Sequence, residues 1–271
     1  MKYAQSSAVY FNYSLKYAIH NLHELGYQGI EIWGGRPHMY RNDFDETMAE
    51  IVSALQTTGM EVCNFIPAQF RYPSVLCSPN ERVRAESVEY IKAAMDNAVR
   101  VKSPTVSLCP GMTLFDQDLA YGWKQLVRSF QELEEYAVEK NLVLLIEPAH
   151  KFETNHILTV EDGLRMIDLL KSDRFGILLD VGHAHLNHEN FHEIFRKCKG
   201  IPLHIHLDDN HGDYDSHLIP GKGTIDFESF FKAAEEYNYA GYLSTELGAG
   251  YIMDPNSACK ETLDFLKIYN S

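Results

Sequence analysis

The chain has 271 residues, 45% of them hydrophobic, which suffices for one large core and matches the usual size of a closed α/β barrel. Lys and Arg number 24 against 38 Asp and Glu, a formal net charge of −14, so the average surface repels nucleic acid and anionic membrane and favours a small neutral or cationic ligand. The five cysteines (Cys63, Cys77, Cys109, Cys198, Cys259) are odd in number and lack any C-x-x-C pair, which fits reduced thiols in a cytoplasmic protein, and no apolar run approaches the roughly 18 residues of a membrane span.

From the N-terminus onward, short apolar runs with β-branched residues alternate with longer segments that carry an apolar residue every three or four positions. Strands are predicted over 2–8, 28–33 (Gln-Gly-Ile-Glu-Ile-Trp), 60–66, 104–109, 142–147 (Leu-Val-Leu-Leu-Ile-Glu), 175–180 (Phe-Gly-Ile-Leu-Leu-Asp), 201–207 and 241–246. Between them, Leu15, Ala18, Leu22 and Leu25 share one helical face, with Gly26 placed as a left-handed cap. Val88, Ile91, Met95 and Ala98 repeat the pattern, as do Trp123, Leu126, Val127, Phe130, Leu133 and Ala137, and Thr159-x-x-Asp162 reads as a capping box. Strand and helix alternate without a Gly/Ser/Pro-rich linker, which predicts a (β/α)8 TIM barrel forming a single domain over 1–271, ahead of an open doubly wound sheet.

Barrel chemistry collects where strands end and loops begin. There the last four predicted strands deliver Glu147, Asp180, His206 and Glu246, each a metal-ligand residue type. Any one of them alone reads as an ordinary polar group at a loop edge. Three carboxylates converging in one barrel mouth would raise their own pKa values unless positive charge lay between them, and one divalent ion supplies it. Three oxygens and one imidazole form a hard donor set suited to Mn²⁺, Mg²⁺ or Co²⁺, with Zn²⁺ also accommodated. Alternate residues of a strand share a face, so both His204 and His206 point inward; His206 lies nearer the strand end and is the expected ligand, with His204 a hydrogen-bonded histidine one layer deeper.

At these residues the sequence resembles the xylose-isomerase-like barrel superfamily of sugar isomerases, epimerases and apurinic endonucleases, and within it the ketose 3-epimerases. The resemblance runs through Ile-Glu-Pro, Leu-Asp-Val-Gly-His, His-Ile-His, Pro-Gly-Lys-Gly and Thr-Glu-Leu in order. Residues 25–38 and 215–223 resemble the fructoselysine-directed branch more than the free-ketohexose enzymes. The resemblance implies that Glu147, Asp180, His206 and Glu246 bind the metal and that Glu147 and Glu246 also form a proton-transfer pair. It further implies that Glu153, His183 and His217 touch the sugar, although His217 stands where the free-ketose enzymes have an arginine. Inverting a carbon beside a ketone needs a base on each face, and the fifth and eighth strands of a ring lie far enough apart to supply both.

The resulting expectation is a metal-dependent epimerase that inverts C3 of a ketose or fructosamine through an enediolate. Aldose–ketose isomerisation, for which one base suffices, is the alternative within the sugar class. A class II apurinic endonuclease is the alternative outside it: Asp215-x-His217 resembles part of its ligand pattern, but Gln69 and Cys109 stand near the places where its two further histidines are expected. A sugar binder without turnover is a third reading. Trp33, Phe65, Tyr72 and Phe115 are candidates for packing on a sugar face or for the core, and Arg36 for an anion or a solvated loop. The expected partner is a small sugar, with neither nucleic acid nor membrane, and apolar helix faces leave a homo-oligomer open.

Overall fold

A computed structural model describes residues 1–69 and 74–269. Eight parallel strands follow one another around a closed barrel: β1 (Lys2–Ser6), β2 (Gly29–Trp33), β3 (Glu61–Ile66), β4 (Thr105–Leu108), β5 (Val143–Ile146), β6 (Phe175–Asp180), β7 (Leu203–Leu207) and β8 (Tyr242–Thr245). β1 closes the ring by pairing with both β2 and β8. The helices outside are α1 (Leu15–Leu25), α2 (Met48–Thr58), α3 (Glu81–Arg100), α4 (Leu119–Lys140), α5 (Val160–Leu170), α6 (Val181–Leu186), α7 (Phe191–Lys197), α8 (Phe227–Glu236) and α9 (Pro255–Ile268). This is the (β/α)8 TIM barrel. Among the described residues no helix is long and apolar enough to cross a membrane.

The helices form for the reasons their patterns suggest. Leu15, Ala18, Ile19 and Leu22 of α1 are buried, and the helix ends at Gly26 with φ of 101°, a left-handed conformation that glycine adopts without a Cβ penalty. Thr159 and Asp162 make the reciprocal capping box that opens α5. The predicted first strand ends early, because Ser7–Tyr10 turn into a 3₁₀ segment once the Ser6 hydroxyl accepts the Ala8 N–H.

Register sets the functional end. Asp180 of β6 pairs with His206 of β7, which pairs with Ser244 of β8, so three strand ends lie level. The Glu147 N–H donates to Leu108 O at 3.0 Å and the Glu246 N–H to Leu207 O at 3.3 Å. Both residues thus sit one step past their strands on backbone that the ladders still hold. β2 and β3 slip register between Ile30 and Glu31, so that Ile30 faces Val62 and Glu31 faces Asn64. Such an irregularity re-aims a side chain, and here it accompanies a buried carboxylate inside the barrel.

Candidate metal centre and active site

At the ends of β5 to β8, Glu147, Asp180, His206 and Glu246 each offer one ligand atom, and these atoms all lie within 4.8 Å of one another. His206 Nδ1 lies 2.9 Å from Glu246 Oε2, 3.6 Å from Glu147 Oε1 and 3.7 Å from Asp180 Oδ2. Yet His206 Nδ1 and Asp180 Oδ2 are both buried without a hydrogen bond. The other Asp180 oxygen is occupied, accepting the His183 N–H at 2.8 Å to cap α6. One oxygen thus organises the backbone while its twin faces the group of carboxylates. Burial disfavours an imidazolium at His206, but the carboxylates of Glu31 and Glu246 outweigh it and hold its pKa well above the ordinary histidine value. The cluster demands positive charge, and its orphaned atoms converge where a divalent ion fits.

Glu31 fixes which histidine nitrogen serves that cluster. Its carboxylate is fully buried, with Oε1 2.7 Å from His206 Nε2 and Oε2 2.9 Å from His204 Nε2. A carboxylate accepts, so in its neutral form His206 keeps its proton on Nε2 and turns the Nδ1 lone pair to the cluster. The Asn64 amide donates to Glu31 Oε1 at 2.7 Å, across the irregular register of β2 and β3. Burial raises the Glu31 pKa, but the two histidines more than offset it and hold it well below the usual carboxylate range.

Above the cluster lies a cleft of about 300 Å³, lined by Trp33, Gln69, Cys109, Glu153, His183 and His217 with Glu147 and Glu246. Three imidazoles meet one carboxylate oxygen at its rim: Asp215 Oδ2 is 3.2 Å from His150 Nε2, 3.4 Å from His183 Nε2 and 2.9 Å from His217 Nε2. The far nitrogens of two of them meet backbone carbonyls, His183 Nδ1 at Pro148 O (3.2 Å) and His217 Nδ1 at Glu246 O (3.1 Å). Asp208 Oδ2 stands 3.0 Å from His217 Nδ1. Burial and the neighbouring Asp180 push the Asp208 carboxyl up to about 7. Gly182 makes room for it, since a Cβ there would come within 2.4 Å of Asp208 Oδ1. Burial also raises the Glu153 carboxyl in the cleft wall.

All seven residues expected at the site therefore gather at this end of the barrel. His204 lies deeper, bonded to Glu31 and away from the cleft lining. Of the aromatic candidates, Trp33 lines the cleft, Phe65 is fully buried core and Tyr72 lies outside the described residues. Phe115 is 86% exposed and lines a neighbouring cavity instead. Arg36 binds Asp43 on an exposed loop and stacks on Tyr40. Sequence reasoning passed over Glu31, His150 and Asp208. His204, His206 and Asp208 fall at alternate positions, so the signal for Asp208 was present in the strand period.

Fold and cluster together define a barrel protein with a candidate metal site beside a small-molecule cleft. The chain belongs to the xylose isomerase-like TIM barrel family, whose model matches residues 19–269. It is 29% identical over 251 residues to fructoselysine 3-epimerase of Escherichia coli O157:H7, covering 92% of this chain and 91% of that one. It is 25% identical to 3-dehydro-D-guloside 4-epimerase of Escherichia coli K12, over 98% and 99% of the two chains. These relatives are carbohydrate epimerases. Among solved structures, apo 3-keto-D-glucoside 4-epimerase from E. coli superposes with a TM-score of 0.84 at 22% identity, covering 99% of each chain. The IOLI protein with a bound zinc atom superposes at 0.82 and 19% identity, covering 99% of this chain and 98% of that one.

Proposed function

We propose that this chain is a divalent-metal-dependent carbohydrate epimerase that inverts C3 of a ketose or fructosamine by proton transfer between two carboxylates. The observation that carries the reading is that Glu147 and Glu246 belong to one cluster around His206 Nδ1 and both also line the sugar-sized cleft. They come from strands on different sides of the ring, so they reach a bound carbon from different faces. One removes the proton beside the ketone and the other returns one from the opposite side, through an enediolate. Glu147, Asp180, His206 and Glu246 would hold the ion, which supplies positive charge against the oxygens that turn negative as the proton leaves. Mn²⁺, Mg²⁺ or Co²⁺ suits the three-carboxylate set best.

Other residues bind and orient. Glu153, His183 and His217 line the cleft and would hydrogen-bond sugar hydroxyls, while Trp33 offers an apolar face to the ring. The three-histidine hub at Asp215 keeps His183 and His217 in place. At the positions where an abasic-site nuclease would need further histidines, Gln69 accepts the Cys109 N–H and the Cys109 thiol faces Glu147 at 3.4 Å. Neither residue is an imidazole, which weighs against a nuclease cluster.

Incubation of metal-reconstituted protein with ketoses and fructosamines in D₂O tests the reading. Deuterium at C3 together with a new diastereomer is the expected result, and Glu147→Gln or Glu246→Gln should each lower exchange by at least about 10²-fold. Deuterium at C1 or C2 with aldose formation would assign isomerisation instead. Full exchange in either variant would refute the two-base assignment.

A further inference from the structure

A second cavity of about 530 Å³ adjoins the cleft, and Gly111 and Glu153 stand in the walls of both. The two spaces therefore meet along a shared wall. The remaining walls come from the segments after β3 and β4, with Val75, Pro79, Met112, Leu114 and Phe115 among them. Leu114 is 62% exposed and Phe115 86%. Large apolar side chains held in water along a cavity beside a ligand cleft favour an apolar occupant.

Two further observations narrow the chemistry. Ser74 also lines this chamber, and its hydroxyl oxygen is buried without a hydrogen-bond partner. Buried hydroxyls are ordinarily bonded, so an occupant with a single polar atom would complete it. Among the described residues, no Lys, Arg or His lines the chamber, and its one ionisable group is Glu153. Against these described residues a phosphate or carboxylate would meet no counter-charge and would face the Glu153 carboxyl.

We propose that the chamber binds a largely apolar substituent without negative charge, carried by the sugar in the cleft, so that the preferred substrate is an alkyl- or aryl-substituted ketose. The inference rests on the epimerase reading only in placing the sugar in the adjoining cleft. It assigns Leu114 and Ser74 to substrate selection and leaves the proton-transfer residues where they are.

The test compares three ligands on the metal-loaded protein by calorimetry: fructose, the fructosamine of benzylamine and the fructosamine of 4-(aminomethyl)benzoic acid. The benzyl compound should bind at least about tenfold tighter than either of the others, and in Leu114→Asp its advantage over fructose should collapse toward one. Leu114 is exposed, so the substitution leaves the core intact. Equal binding of the benzyl and carboxybenzyl compounds, or an unchanged ratio in Leu114→Asp, would overturn the proposal. C3 deuteration in the same samples reports separately on the reaction. Tight benzyl binding that responds to Leu114→Asp without C3 exchange would sustain the chamber and sink the epimerase. C3 exchange with no preference for the benzyl compound would do the reverse.

Discussion

Glu31 shows how one carboxylate decides the chemistry of a neighbour it does not share a strand with. By accepting from His206 Nε2 at 2.7 Å it fixes the proton of the neutral ring there, so that Nδ1 is the nitrogen whose lone pair faces Glu147, Asp180 and Glu246 in that form. Its other oxygen takes His204, so both imidazoles are held by one buried group. Replacing Glu31 with Gln keeps the shape, removes the charge and frees the ring to exchange tautomers. Mn²⁺ affinity measured by calorimetry should fall by about 10- to 100-fold. His204→Gln should change it by less than about threefold, because His204 offers nothing to the cluster. Wild-type affinity in Glu31→Gln would show that the tautomer is set elsewhere. The four ligand types were legible in sequence because each ends a strand. Glu31 was not, since its partners lie 173 and 175 residues away and only the closed ring brings them together.

At the scale of elements, the strand period located all eight strands, with the ends shortened by local hydrogen bonding, as where the Ser6 hydroxyl starts a turn. The segment between β6 and β7 was less legible. It splits into α6 and α7, joined across Glu189, because Asn187 and His188 end the first helix and Asn190 caps the second. Glu189 has a task there: its carboxylate accepts the Val160 N–H at 3.1 Å, at the start of α5. Burial pushes its carboxyl up to about 7 from an ordinary 4.5. A folded-state pKa raised in this way means that the folded chain holds the proton more readily than the unfolded one. The associated stability is complete below pH 4.5 and is lost as pH rises toward 7. Glu189→Gln should therefore match the wild type near pH 4.5 and exceed it at pH 8, by on the order of 1 kcal/mol once partial exposure is discounted. Urea unfolding at the two pH values measures this. A variant less stable than the wild type at pH 8 would mean that attraction between the carboxylate and the helix N-terminus outweighs burial.

The whole molecule carries a second pH dependence of opposite sign, and it bears on how the cleft is held. His38 and His156 are both buried and both depressed to about 4, in each case chiefly by burial. His38 ties the segment after β2 to the one after β1, with Nδ1 3.1 Å from Ser7 Oγ and Nε2 3.1 Å from Tyr13 O. His156 ties the segment after β5 to the one after β4, with Nε2 2.7 Å from Thr113 Oγ1. Both therefore join loops at the end of the barrel where the cleft opens. Each is neutral when folded, whereas the unfolded chain takes up its proton near pH 6.5, so stability is lost as pH falls from 6.5 toward 4. At full effect the loss is on the order of 3 kcal/mol per histidine, a large share of the 5–15 kcal/mol typical of a folded chain. The loops should give way before the ring, because the strands are tied on both sides and the loops are not. Hydrogen exchange on metal-free protein at pH 7 and pH 5 should show protection lost first in residues 34–40 and 111–118, with the strand amides still protected. His156→Gln should remove the acid sensitivity of the second segment alone. Uniform loss across barrel and loops at pH 5 would instead make the transition global and leave these two histidines without a special part in it.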